Sequence, residues 1–133
     1  MNLPSNSLVA VVDGEVLRLY RNTGTATEVA LTAVKLPELE ERTVGAPGRI
    51  STSANPNDKT LEEDGHAMSV AQALNLWSHK NKFDKLVVIA APKTMGELRK
   101  HWHKEVSEAI IGEITKTLTG HSTDEIIKSI EAA

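Results

Sequence analysis

The chain of 133 residues has 15 basic and 18 acidic side chains, a net charge of −3, 40% hydrophobic residues and no cysteine. A chain this long builds a core without staples, the missing cysteine excludes disulfides, thiolate nucleophiles and cysteine metal sites, and the net acidity argues against wholesale coating of nucleic acid. With one Phe, one Tyr and two Trp, aliphatic side chains must fill the interior.

The first apolar run, Leu8 to Val12, is continuous and rich in β-branched residues, which predicts a strand covered on both faces. It is too short for a signal peptide or a membrane span, and no basic region precedes it; these features predict a cytoplasmic protein without membrane contact. Asp13-Gly14 follows, a dipeptide that accepts the positive φ angles of a tight hairpin. A return strand is expected over residues 15–21 and a third over 28–36, ended by Pro37. Three successive strands predict an antiparallel meander.

A long loop is expected next, over about 38–62. Residues 45–65 hold two prolines and three glycines, and a flexible segment of that length is unusual in a small domain. Between 37 and 65, three basic residues stand against seven acidic ones, so the loop offers an acidic face to a protein partner. Arg49, within Pro-Gly-Arg, is its candidate contact for a phosphate or an acidic group.

Thr60 and Glu63 have capping-box spacing before a helix over about 65–80, with Ala67, Val70, Ala71, Leu74 and Trp77 at helical intervals. Residues 85–91, KLVVIAA, form a second buried strand. Thr94 and Glu97 repeat the capping pattern ahead of a further helix. Residues 105–119 read as helix or as strand; a short helix to Ala109 and then a strand to Leu118 is the reading adopted. Ser122 and Glu125 cap a final amphipathic helix. The sum is α/β: a five-stranded mixed sheet in the order βββ-α-β-α-β-α with flanking helices.

Three stretches carry a family resemblance: VVDGEVLRLYRN (11–22), LVVIAAPKTMGELRKHWHKEV (86–106) and EITKTLTGH (113–121). They resemble the bacterial host attachment proteins, a family similar to the middle domain of archaeal and eukaryotic class 1 release factors and Pelota. The resemblance implies the same five-stranded sheet. In true release factors the loop after the third strand carries Gly-Gly-Gln, which enters the peptidyl-transferase centre. Here that loop offers Gly45, Gly48 and Arg49, without a Gly-Gly pair, and the only glutamine of the chain is Gln72. Peptide release by that mechanism is therefore not expected. The resemblance implies a binding module in contact with the ribosome, tRNA or a translation factor.

Residues 79–104 hold seven Lys and Arg against Asp84 and Glu97, with three histidines and two tryptophans in or beside them. Lys93, Thr94, Arg99, Lys100 and Lys104 are the candidate binding residues, either as an RNA-binding track or as a solvated face. Lys93 and Thr94 also open a helix after a buried strand, where free backbone N–H groups favour an anion. The alternative reading is a small hydrolase or nuclease using the crevice at 93–97. No cofactor is implied and no metal site is expected, because His101 and His103 are two apart and no H-E-x-x-H occurs.

Overall fold

The computed structural model describes residues 1–37 and 58–133. The strands are β1 (Leu8–Val12), β2 (Leu17–Asn22), β3 (Leu31–Ala33), β4 (Leu86–Ala90) and β5 (Ile110–Ile114). The helices are α1 (Asp58–His79), α2 (Pro92–Arg99), α3 (Lys104–Ala109) and α4 (Thr123–Ala132). One five-stranded sheet runs in the order β3-β2-β1-β4-β5. The β1–β2 and β2–β3 pairs are antiparallel, and β4 lies parallel to both β1 and β5. This is the mixed sheet that the residues predicted.

Both central strands are buried along their whole length, which explains their continuous apolar runs. Alternate residues serve opposite faces. Leu8, Ala10, Val12, Leu86, Val88 and Ala90 pack with Ala67, Val70, Ala71 and Leu74 of α1, with Met95 and Leu98 of α2 and with Val106 of α3. Val9, Val11, Val87, Ile89 and Ile114 pack with Ile126 and Ile130 of α4. At the centre of the core, Val9, Val11, Leu86, Val88 and Ile89 are at most 1% exposed.

Several boundaries differ from the sequence expectation, each for a local reason. The β1–β2 turn is tight, but Gly14 does not take a left-handed backbone. Instead the Asp13 carboxylate accepts the N–H groups of Glu15 and Val16, at 2.7 and 2.6 Å. The third strand is only three residues long. Ahead of it, Thr25 N–H donates to Glu28 O, and Ala30 N–H donates to the Asn22 side chain instead of a ladder carbonyl. The fifth strand stops at Ile114, whose carbonyl accepts from Lys116 N–H in a tight turn, although Leu118 beyond it is still buried. A bulge places Ile110 opposite Leu86 and Gly112 opposite Val87.

The first helix begins at Asp58, so positions 60 and 63 lie inside it rather than at its cap, and residues 58–62 of the expected loop are helical. The expected mobility of the rest of that loop falls on 38–57, outside the described residues. The second helix opens on Ala91 with Pro92 as its first residue, and Thr94 makes no cap. Proline supplies the preset φ angle and lacks the N–H that the first helical residue leaves unpaired. The last helix does use its capping box, Ser122 with Glu125.

The end of α1 determines what surrounds the groove described below. Asn81 stands in the left-handed region at φ 58. Its N–H donates to Ser78 O at 3.0 Å, and Lys82 N–H reaches back to Trp77 O at 2.9 Å. These two bonds close the helix as a Schellman motif, with asparagine in the place glycine usually takes.

Candidate functional site

The chain leaves β1 toward β2 and leaves β4 toward β5, so the carboxyl ends of these neighbouring parallel strands form the kind of crevice where open α/β sheets bind ligands. Lys93 is exposed and Thr94 half-buried in the first turn of α2, on the β4 side of that crevice. On the β1 side stands Asp13, one residue beyond the paired Val12 and Ala90. Glu63 of α1 covers Gly14 so closely that a Cβ there would run into its carboxylate. Carboxylates at this mouth oppose the anion that Lys93 and the α2 N-terminus were expected to attract.

Asp13 does more than close its turn. Its second carboxylate oxygen accepts from Thr119 Oγ1 at 2.6 Å, tying the β1–β2 hairpin to the loop before α4. Burial pushes the carboxyl pKa up, but the Thr119 hydroxyl, the N–H groups of Glu15 and Val16 and nearby His66 together hold it below its ordinary 3.8. A depressed carboxyl contributes stability that is present above the unfolded pKa and lost as pH falls through the folded one. Asp13→Ala is expected to cost about 1–2 kcal/mol at neutral pH. It should also flatten the acid limb of the stability curve below about pH 4. Urea melts across that pH range check both; an unchanged acid limb refutes the assignment.

Three of the basic candidates, Arg99, Lys100 and Lys104, each already have a carboxylate. Arg99 makes a two-pronged pair with Glu113 of β5, at 3.1 and 3.0 Å. Lys100 lies 2.9 Å from Glu97, and Lys104 lies 3.8 Å from Glu108. Glu97 is itself mostly buried: burial raises its pKa, but Lys100 and His101 outweigh that and hold it low. The hydrogen bond and charge of Glu113 raise the Arg99 pKa, and those of Glu97 raise that of Lys100. Glu105, Glu108 and Glu113, just beyond the basic segment in sequence, thus fold back onto it. Arg49 lies outside the described residues. Among the described residues, no three His, Asp or Glu side chains cluster to hold a metal ion.

A different group of cations stands uncompensated. Lys80, Lys82 and Lys85 are exposed in the connection from α1 to β4 and have no ion pair among the described residues. Arg21, at the end of β2, joins them: its guanidinium donates to Lys82 O at 2.8 Å and to Asn6 O at 2.9 Å, both neutral carbonyls. Asp84 is the one carboxylate within the Lys80–Lys85 connection. The sequence contains the signal as Lys-x-Lys-x-x-Lys, but Arg21 is sixty-one residues from its Lys82 partner.

Beside this edge lies an open groove of about 500 Å³, lined by Gln72, Asn75, Leu76, His79, His103 and Glu105. Asn75 builds its floor, donating to His101 O at 3.0 Å and accepting from His103 N–H at 2.8 Å, which fixes the link between α2 and α3. His79 Nδ1 lies 3.8 Å from Glu105 across the opening. No pattern in the sequence joins Gln72 to His103; helix packing does.

Compared with known protein families, residues 6–130 match the one described as bacterial archaeo-eukaryotic release factor family 12. No curated protein matches the chain.

Proposed function

The chain belongs to bacterial archaeo-eukaryotic release factor family 12, and from that premise we propose that it is a cytosolic binding module for the ribosome or tRNA, without release activity of the Gly-Gly-Gln type. The observation that carries the reading is the family match over 6–130, in a chain without a Gly-Gly pair whose only glutamine, Gln72, stands in α1. A release-factor-type domain without its hydrolytic tip retains a scaffold suited to the same surroundings. Any influence on attachment to host cells is, on this reading, an indirect result of altered translation.

The test is sedimentation with purified ribosomes at low salt, paired with release of a labelled nascent peptide from a stalled complex. The protein is expected to travel with ribosomes and to leave the peptide attached to its tRNA. Failure to co-sediment, or release that depends on the 38–57 segment, overturns the proposal. Arg99 is a poor residue for charge reversal, because Arg99→Glu would place a carboxylate against Glu113 and disturb folding. Lys82→Glu with Lys85→Glu removes charge without breaking an ion pair, and should weaken co-sedimentation about tenfold or more if a few phosphate contacts are lost.

A further inference from the structure

We infer that the groove between α1 and α3, with the cationic edge beside it, holds one unpaired nucleotide of an RNA strand. The inference rests on the reading above and names the part of the RNA that is taken. Two independent features meet here. The first is the groove, whose 500 Å³ falls within the roughly 300–1,000 Å³ of small-ligand sites. The second is the edge of Arg21, Lys80, Lys82 and Lys85, where four cations stand beside Asp84 alone and the three lysines make no ion pair among the described residues.

The groove presents what a base requires. The Gln72 amide makes no hydrogen bond to the described residues, so a donor and an acceptor side by side are left to read a base edge. Leu76, 51% exposed, is a large apolar group left open to a partner. The imidazoles of His79 and His103 are rings on which a base can stack. A paired base keeps its Watson–Crick edge occupied and its faces stacked, so only an unpaired base gains from this set. Glu105 at the opening repels phosphate, which leaves the backbone the lysine edge rather than the surface of α3. His79 lines the groove and Lys80 follows it in the chain, so base and backbone sites are continuous.

Fluorescence anisotropy at low salt, with the full chain, tests this using a labelled oligoadenylate of about eight nucleotides and an RNA duplex of equal length. The single strand is expected to bind about tenfold tighter, with a log–log salt slope near −2 for three phosphates at roughly 0.7 each. Lys82→Glu with Lys85→Glu should weaken both ligands. Gln72→Ala with His103→Ala should weaken the single strand alone, by about tenfold, which is within the loss expected for a base stack and brings the two ligands level. Gln72→Ala by itself keeps the test valid should the double variant melt early. Equal affinity for both ligands, unchanged binding by the groove variants, or no binding overturns the inference. If the parent protein still co-sediments with ribosomes in those cases, the ribosome reading survives without the groove; if it does not, both fall. Co-sedimentation that resists nuclease yet is lost in the groove variants assigns the groove to a protein partner and also overturns the inference.

Discussion

Val88→Asp is expected to remove a large share of the protein's stability and to shift its urea midpoint far down. Val88 lies in β4, between β1 and β5, and is wholly buried against the layer formed by α1, α2 and α3. Its surroundings are Leu, Val, Ala and Met side chains, so a carboxylate there finds no cation. An uncompensated buried charge costs about 3–5 kcal/mol after relaxation, against a total stability of roughly 5–15 kcal/mol for a typical domain. Urea denaturation followed by circular dichroism measures the loss. A midpoint near that of the parent would mean that β4 is not enclosed on both sides.

Asn22 is the second position where a small change should have a large effect. It is fully buried at the end of β2. Its amide nitrogen donates to Leu3 O at 2.8 Å and to Thr25 O at 3.2 Å. Its amide oxygen accepts from Gly24 N–H at 2.9 Å and from Ala30 N–H at 3.1 Å. One side chain thus joins the N-terminal segment to both arms of the β2–β3 turn. Asn22→Ala strands buried donors and acceptors and should cost about 2–3 kcal/mol. Asn22→Asp should cost more at neutral pH, about 3–5 kcal/mol, because an ionised oxygen would face the carbonyls of Leu3 and Thr25. Protonation restores a donor. Burial raises the folded pKa of that aspartate above its unfolded value, so the deficit of Asn22→Asp should shrink on acidification and widen as pH rises through the folded pKa. A deficit independent of pH between about 4 and 8 would refute this account.

The central strands were legible because each is buried on two faces, and such burial requires an unbroken apolar run, as in Leu8–Val12 and Leu86–Ala90. The last helix was legible too, since Ser122 and Glu125 satisfy each other within one turn. The other two capping patterns misled because each helix begins ahead of its threonine: α1 starts at Asp58, so positions 60 and 63 are interior, and Pro92 opens α2 two residues before Thr94. A capping box serves backbone N–H groups only at a first turn, and where that turn falls is not written in the Thr–Glu spacing. The third strand was overestimated because Asn22, eight residues away, takes the Ala30 N–H that a ladder would have used.

The candidate site shows the same division. The sequence by itself determined the alternation of strands and helices along the chain, the aliphatic core, the absence of Gly-Gly-Gln and the basic character of residues 79–104. Those properties depend on residue type and on spacing within one element, which a linear reading preserves. Which cations stand without a carboxylate partner was decided only by the tertiary structure. Arg99 is paired with Glu113 across fourteen residues, and the Lys80–Lys85 edge gains Arg21 from β2, two strands away in the sheet and sixty-one residues from Lys82. Charges interact through space over a few ångströms and not along the chain, so the electrostatic face of this protein exists only once β5 lies beside β4 and β2 ends beside the α1–β4 connection.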